Sequence, residues 1–258
     1  MRRIDDLPED IAKRVQAVLF DIDDTVLDHG RLGQSSLAAL YRLQAAGLLA
    51  IGVTGRPVTW GQVLVRQWPV GGMVTENGAL WVVRSDNRIL TLDRLTSVQR
   101  EQRRQRLLDL VAAMRREFPE AMPADDATSR VSDFTFDIGE TVDASIERIA
   151  EMSQFARERG ARVTRSSIHL HVTYDADDKA SGVLRFLSHV FDKDPTASRY
   201  ECAFISDSEN DAPCFAAFQT TVAVANYRGR PSVPPRFVTS GRMGTGFCEF
   251  VDRLLERR

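Results

Sequence analysis

Three short apolar runs, separated by long stretches of chain, each stop at a cluster of small polar or acidic residues. Ala17-Val18-Leu19-Phe20 ends at Asp21-Ile22-Asp23-Asp24-Thr25. Leu48-Leu49-Ala50-Ile51-Gly52-Val53 ends at Thr54-Gly55-Arg56-Pro57, and Ala203-Phe204-Ile205 ends at Ser206-Asp207-Ser208-Glu209-Asn210-Asp211. A short apolar run without polar alternation reads as a strand buried on both faces, as in parallel sheets covered by helices. In such sheets ligands bind beyond the carboxyl ends of the strands. Groups remote in sequence are therefore expected to converge on one crevice.

The segments between these runs supply the rest of an α/β rhythm. Helical spacing runs from Leu37 to Ala46 with Gly47 as its C-cap, and again from Thr59 to Gln67. Met73-Val74 and Ala79 to Val83 are strand-like around Thr75-Glu76-Asn77-Gly78, where Asn-Gly predicts a tight hairpin turn. The middle of the chain changes character. Ser97 to Glu117 is charged and helical in pattern, and the Arg100 to Arg106 stretch is expected to be a solvated helix face. In Val131 to Ile138, Phe134, Phe136 and Ile138 oppose Asp133, Thr135 and Asp137; in Arg162 to Tyr174, Ile168, Leu170 and Val172 oppose His169, His171 and Thr173. With a helix over Thr141 to Arg159, this predicts a small α+β unit whose sheet keeps one wet face. A helix over Ala180 to Val190, a short one over Ala212 to Phe218, and strands at Thr221 to Val224 and Arg236 to Thr239 complete the chain. The fold class expected is α/β: a Rossmann-like parallel-sheet core formed by residues 1–92 and 173–258, with an inserted α+β cap over residues 93–172. Asp5 to Gln16 reads as an exposed amphipathic helix without a chemical role.

Composition bounds the partners. At 258 residues, 43% of them apolar, the chain can bury a core and carry an insertion. Charged residues, 27% of the total, nearly cancel to a net charge of -2, which argues against general nucleic-acid binding but leaves room for a local basic pocket. Cys202, Cys214 and Cys248 form no CxxC pair and read as free thiols of a reducing compartment. No signal-peptide-like apolar core and no membrane-length stretch is evident, so a cytoplasmic protein without membrane or nucleic-acid partners is expected. Oligomeric state is not legible.

The residue types at the strand ends suit phosphoryl transfer. A carboxylate attacking a phosphate ester meets a repulsion on the order of 4 kcal/mol per charge pair at ~4 Å and an effective dielectric of ~20, so cations must stand beside it. Asp21 and Asp207 are hard oxygen donors suited to Mg²⁺, and Lys179 offers a second positive charge. Thr54, with its hydroxyl, and nearby backbone N–H groups can hold phosphoryl oxygens. Attack by Asp21 would give an aspartyl phosphate, and Asp23 is placed to protonate the leaving oxygen and then activate water.

In order and spacing, Asp21-Ile22-Asp23-Asp24-Thr25, Thr54-Gly55-Arg56, Lys179 and Asp207 through Asp211 resemble the four motifs of the haloacid-dehalogenase-like hydrolases. The insertion before Lys179 resembles the C2 cap of the Cof-like group, which includes sucrose-phosphate and mannosyl-3-phosphoglycerate phosphatases and the related phosphomannomutases. Thr75-Glu76-Asn77-Gly78-Ala79 and Asp207 to Pro213 look like that group too. The resemblance implies Asp21 as nucleophile and metal ligand, and Asp23 as acid/base that also reaches the metal through its carbonyl. It implies Thr54, Gly55, Lys179 and Asn210 as phosphate binders, and Asp207 and Asp211 as further metal-site residues, with Mg²⁺ as cofactor. Asp24 stands where glycine is commonest, and Ser206 replaces the usual glycine before the metal aspartate. Cap residues Arg130, Ser132, Ser167 and His169, with Ser166 and His171, are expected to touch the leaving group; a metal pair at His169 and His171 lacks a third ligand.

The function expected is therefore Mg²⁺-dependent hydrolysis of a small phosphorylated metabolite such as a sugar phosphate. A phosphomutase-type transferase using the same aspartyl phosphate is the alternative. A receiver-type phospho-acceptor module is a third, and it lacks a long inserted cap.

Overall fold

The run Ala17–Phe20 is buried at all four positions, and its alternate side chains serve two different cores. Val18 and Phe20 pack into one apolar cluster with Leu40, Leu43, Phe247 and Phe250, while Ala17 and Leu19 pack into another with Val183, Phe186 and Phe215. A strand apolar on both faces must lie inside a sheet with helices on both sides. The computed structural model, which describes residues 1–166, 168–227 and 231–258, shows that arrangement. Among the described residues the main sheet runs in the order Arg2–Arg3, Phe237–Val238, Thr220–Ala223, Cys202–Ser206, Ala17–Phe20, Leu49–Val53, Gly72–Thr75, Leu80–Ser85 and Arg88–Asp93. All neighbours pair in parallel as far as Gly72–Thr75; the last two strands are antiparallel additions. Helices Gln34–Ala45, Val58–Gln67 and Met243–Glu256 cover one face, and Lys179–Phe191 and Ala212–Ala217 the other.

From Ala17–Phe20 the chain winds outward through Leu49–Val53 to Gly72–Thr75, then returns to the opposite side at Cys202–Ser206. The strand order thus reverses between Ala17–Phe20 and Cys202–Ser206, the place where an open sheet leaves a crevice at its carboxyl edge. The predicted hairpin is present, with Thr75 paired to Leu80 across a turn that holds Glu76 and Asn77 at φ +48° and +55°. Gly78 follows at φ +108°, and a Cβ there would collide with the carbonyl of Asp178. That close approach seats the turn directly against the start of the Lys179 helix.

A second, three-stranded antiparallel sheet orders Arg162–Arg165, His169–Thr173 and Asp133–Asp137. Helices Ser97–Glu117 and Ile146–Glu158 pack on its apolar side around Phe136, Leu170 and Val172. Thr96 starts the first helix with a full capping box to Gln99, and Ser145 caps the second.

Three expectations are corrected. The polar face of the small sheet is not wet: Thr135, Asp133, His171, Asp137 and His169 are all buried. It turns toward the strand ends of the main sheet, so both faces are covered and its polar groups must find protein partners. The Arg100 to Arg106 stretch is not simply solvated. Arg100 donates to Asp93 at 2.6 Å and to Asp175 at 2.6 Å, and Arg103 pairs with Asp175 at 2.5 Å. These arginines sit where the chain crosses between the two sheets, and the acidic residues of the crossing segments draw them in. Finally, the N-terminal helix is confined to Glu9–Arg14 and is not a bystander; Ile4, Leu7, Ile11, Ala12 and Val15 are buried in the main core. Ile11 and Ala12 face the core from the helix, and Ile4, Leu7 and Val15 anchor the chain on either side of it.

Candidate active site

Strand register brings the polar clusters together. Phe20 pairs with Gly52 on one side and Ile205 on the other. The next residues outward, Asp21, Val53-Thr54 and Ser206-Asp207, therefore leave the sheet side by side. Asp21 keeps the register one step further, its N–H donating to the carbonyl of Ile205 at 3.0 Å. Lys179 arrives from another direction as the first residue of its helix, whose N-cap Asp178 accepts from the N–H of Ser181.

Lys179 Nζ donates to Asp21 Oδ1 at 2.7 Å and lies 2.7 Å from Asp211 Oδ1. Lys179 is 2% exposed, Asp21 6% and Asp211 0%. Carboxylate oxygens of Asp21, Asp207 and Asp211 lie within 4.8 Å of one another. Burial pushes the Asp21 carboxyl well above its ordinary range; Lys179 opposes this, and the charges of Asp211, Asp207 and Asp23 add to it. Burial, then Asp211, pushes Asp207 up to about 7 against the pull of Lys179. For Lys179 burial works against the charge, but Asp21 and Asp211 outweigh it and hold the ammonium above its ordinary range. With all three carboxyls ionised, this ammonium leaves two negative charges in a poorly hydrated space, which is why burial resists their ionisation. A divalent cation that takes only oxygen ligands fits that donor set and that imbalance.

Ser206, one of the two departures, supplies a hydroxyl that donates to Asp211 Oδ2. Ser208 Oγ donates to Asn210 Oδ1 at 2.6 Å, which fixes the loop carrying Asp207 and Asp211. Asp24, the other departure, has φ +53°, which explains why glycine suits the position. Its carbonyl accepts from Asn226 Nδ2 at 2.9 Å, and its side chain, 42% exposed, stands 3.8 Å from His29.

Asp23 lies apart from the carboxylate cluster, in a bidentate pair with Arg56 at 2.9 and 2.8 Å. Arg56 in turn lies 4.4 Å over the Trp60 ring. Thr54, 1% exposed, accepts from the Arg56 N–H at 3.0 Å through Oγ1, forming the tight turn that carries Gly55.

The expected cap contacts divide. Arg130 donates to Asp126 at 2.9 Å, to Asp133 at 3.0 Å and to the Gly55 carbonyl at 2.9 Å, so its guanidinium clamps the start of the Asp133–Asp137 strand to the turn after Thr54. Ser132 Oγ donates to Glu76 Oε2 at 2.7 Å, and His169 Nε2 lies 2.9 Å from Glu140. Ser167 lies outside the described residues. The groups that do share a cavity with Lys179 and Asn210 include Asp133, His171, Arg162 and Thr164. The period-2 alternation marked the right face of the cap sheet, but it does not rank residues along it.

Glu76 has a part that its place in a hairpin turn did not suggest. Buried at 3% exposure, its carboxylate accepts from the N–H groups of Val58, Val131 and Ser132 and from the Ser132 hydroxyl. Burial and the nearby Asp133 charge raise its pKa, while the Ser132 and Val58 hydrogen bonds act the other way.

Comparison with known proteins agrees with this architecture. Residues 18–103 match the family described as haloacid dehalogenase-like hydrolase. Phosphoglycolate phosphatase 1 of Saccharolobus solfataricus is 27% identical over 250 residues, covering 94% of this chain and 96% of the relative. The crystal structure of protein 0175 from Thermoplasma acidophilum superposes with a TM-score of 0.72 at 17% identity, covering 95% of this chain and 99% of that one. The sucrose-phosphatase of Synechocystis sp. PCC6803, solved with sucrose and phosphate, gives a TM-score of 0.68 at 15% identity, with 93% and 98% coverage. The matched segment carries the Asp21 and Thr54 strand ends, and the return strand supplies Asp207 and Asp211 to the same crevice: the chain is an enzyme similar to the haloacid dehalogenase-like hydrolases, in sequence over that segment and in fold over nearly its whole length.

Proposed function

We propose that this enzyme is a Mg²⁺-dependent phosphatase of small phosphorylated metabolites, with sugar phosphates as the first class to test. The observation that carries the reading is the buried ammonium of Lys179 held between Asp21 and Asp211 beside Asp207. That arrangement supports attack by one carboxylate on an anionic ester, because a cation sits where the two negative charges would meet. The phosphatase names of the curated relative and of the sucrose-binding neighbour support the same class.

In this reading Asp21 forms a bond to phosphorus as the ester P–O bond breaks, and the leaving oxygen takes a proton from Asp23. A water then gives its proton to Asp23 and attacks the aspartyl phosphate, releasing inorganic phosphate and regenerating Asp21. Thr54, the Gly55 N–H, Lys179 and Asn210 hold the phosphoryl oxygens in both steps. Arg56 orients Asp23 between them. Asp21, Asp207 and Asp211, with the Asp23 carbonyl, would hold Mg²⁺, which supplies charge neutralisation when bound. Residues 1–92 and 173–258 are assigned to the catalytic core and 93–172 to a cap that covers the leaving group. No described helix is long and apolar enough to cross a membrane, and the substrate is taken to be a small molecule.

The test is phosphate release from a panel of phosphorylated metabolites, with Mg²⁺ and with chelator, by the protein and by Asp21→Asn. Release that needs Mg²⁺ and is abolished in Asp21→Asn is the expected result. Full turnover by Asp21→Asn would overturn the mechanism. Turnover only with a phosphorylated co-substrate would instead point to the mutase-type transfer.

A further inference from the structure

The polar face of the cap sheet closes a cavity of about 80 Å³ that it shares with Lys179 and Asn210. His171 lies on the wall of this cavity and is 6% exposed. Its Nδ1 is 2.9 Å from Asp133 Oδ2 and 3.3 Å from Thr135 Oγ1, whereas its Nε2 has no hydrogen-bond partner among the described residues. Asp133 is itself fixed by Arg130 at 3.0 Å, so it can only accept from the ring. The Nδ1 must then carry the hydrogen, and Nε2 is left as a lone-pair acceptor of a neutral imidazole. Burial works in the same direction, lowering the His171 pKa against the pull of Asp133. Nε2 is not among the buried atoms that lack a partner, so it opens to the cavity, where a ligand or water can meet it.

We propose that His171, oriented by Asp133, is a specificity-determining residue of the leaving-group pocket, its Nε2 accepting a hydrogen bond from a hydroxyl of a neutral, polyol-type leaving group. The assignment rests on the phosphatase reading above. The charges around the cavity discriminate in the same sense. Five carboxyl side chains line it against the cations Arg162 and Lys179. Arg130, Arg100 and Arg94 neutralise Asp133, Asp175 and Asp177 from outside, but Lys179 is held by Asp21 and Asp211. Arg162 directs its Nη1 to the carbonyls of Asp175 and Asp177. A leaving group carrying a carboxylate would meet a lone pair at His171 and, beyond it, Glu76 and Asp178, whose partners are hydrogen-bond donors rather than cations. A hydroxyl donor satisfies both. Arg130 joins the Asp133–His171 pair to the Gly55 carbonyl, so the group that reads the leaving group is tied to the turn that follows Thr54.

The test compares kcat/KM for glycerol 3-phosphate and for 2-phosphoglycolate, with p-nitrophenyl phosphate as a check on phosphatase chemistry. The wild-type protein is expected to favour the polyol phosphate. In His171→Phe the ratio of the two kcat/KM values should fall about tenfold, the effect of losing one hydrogen bond in a buried site. His171→Gln, which can present a carbonyl oxygen to the same space, should recover part of the ratio. His171→Arg should shift it toward phosphoglycolate. Thermal unfolding of each variant confirms that folded protein is compared, and Asp133→Asn provides a second route, since it frees the ring to rotate and should lower the ratio in the same direction. A wild-type preference for phosphoglycolate, or a ratio unchanged within about twofold in both His171→Phe and Asp133→Asn, would overturn the assignment. No turnover of any of the three esters by the wild-type protein would overturn the phosphatase reading itself, and the assignment with it.

Discussion

The Nζ of Lys179 lies 2.7 Å from Oδ1 of Asp21, although 158 positions separate the two residues. Both are buried, and the same ammonium is 2.7 Å from Asp211. A buried ion pair of this kind is weak evidence for net stability, but removing one partner is costly because it leaves the other charges uncompensated. Lys179→Met is therefore expected to abolish phosphate release. It should also destabilise the metal-free protein at neutral pH by roughly 3–5 kcal/mol, read by urea denaturation. A variant that keeps the wild-type midpoint would show that the carboxylates are not ionised around Lys179.

Asp207 gives the acidic cluster a pH signature. Burial and Asp211 push its carboxyl up to about 7, from the ordinary value of 3.8. Below pH 3.8 it is protonated in both the folded and the unfolded chain and costs nothing. As the pH rises toward 7 the unfolded chain ionises first, so the folded state loses stability across that window. On the proposed function Mg²⁺ would bind the ionised form, and its stabilisation should grow over the same range. Thermal unfolding in chelator and in excess Mg²⁺ is expected to differ more at pH 7.5 than at pH 5. A difference independent of pH would remove Asp207 from the cation site.

Glu76 fastens the hairpin turn of the main sheet to the Val131-Ser132 segment with a carboxylate that only accepts. Glu76→Gln replaces one acceptor oxygen with an NH₂ group aimed at N–H donors. The expected cost is about 1–3 kcal/mol in unfolding free energy, the penalty for buried polar groups left unpaired. Ser132→Ala removes a single donor and should cost less. A chemical-denaturation midpoint for Glu76→Gln equal to that of the wild type would argue that the contact is not formed in solution.

Arg100 ties together the two segments that cross between the sheets, bonding Asp93 before its helix and Asp175 after the last cap strand. Its side chain is 12% exposed and Asp175 5%, so the network is largely dry. Arg100→Leu should lower stability by roughly 3 kcal/mol. Arg100→Lys should restore little of it, because an ammonium cannot reproduce the forked contact with Asp93 while still reaching Asp175. Equal stability of the lysine variant and the wild type would show that charge alone, without the fork, is enough.

The sequence by itself determined the elements and the ends that carry chemistry. Ala17–Phe20, Leu49–Val53 and Cys202–Ser206 were legible because burial on both faces removes polar residues from a strand, and because the return of polar residues marks its end. Period-2 alternation likewise marked the polar side of Asp133–Asp137 and His169–Thr173. Register and side-chain partners were decided only in three dimensions. Local pattern shows which face of the cap sheet is polar, yet burial of that face depends on how two sheets joined at two crossings close on each other. The same closure turned Arg130 from an expected substrate contact into a clamp on Gly55, drew Arg100 out of solvent, and made Glu76 a fastener across the chain. A hydrogen bond is chosen by whichever donor and acceptor packing brings within about 3 Å, and no period along the chain encodes that distance.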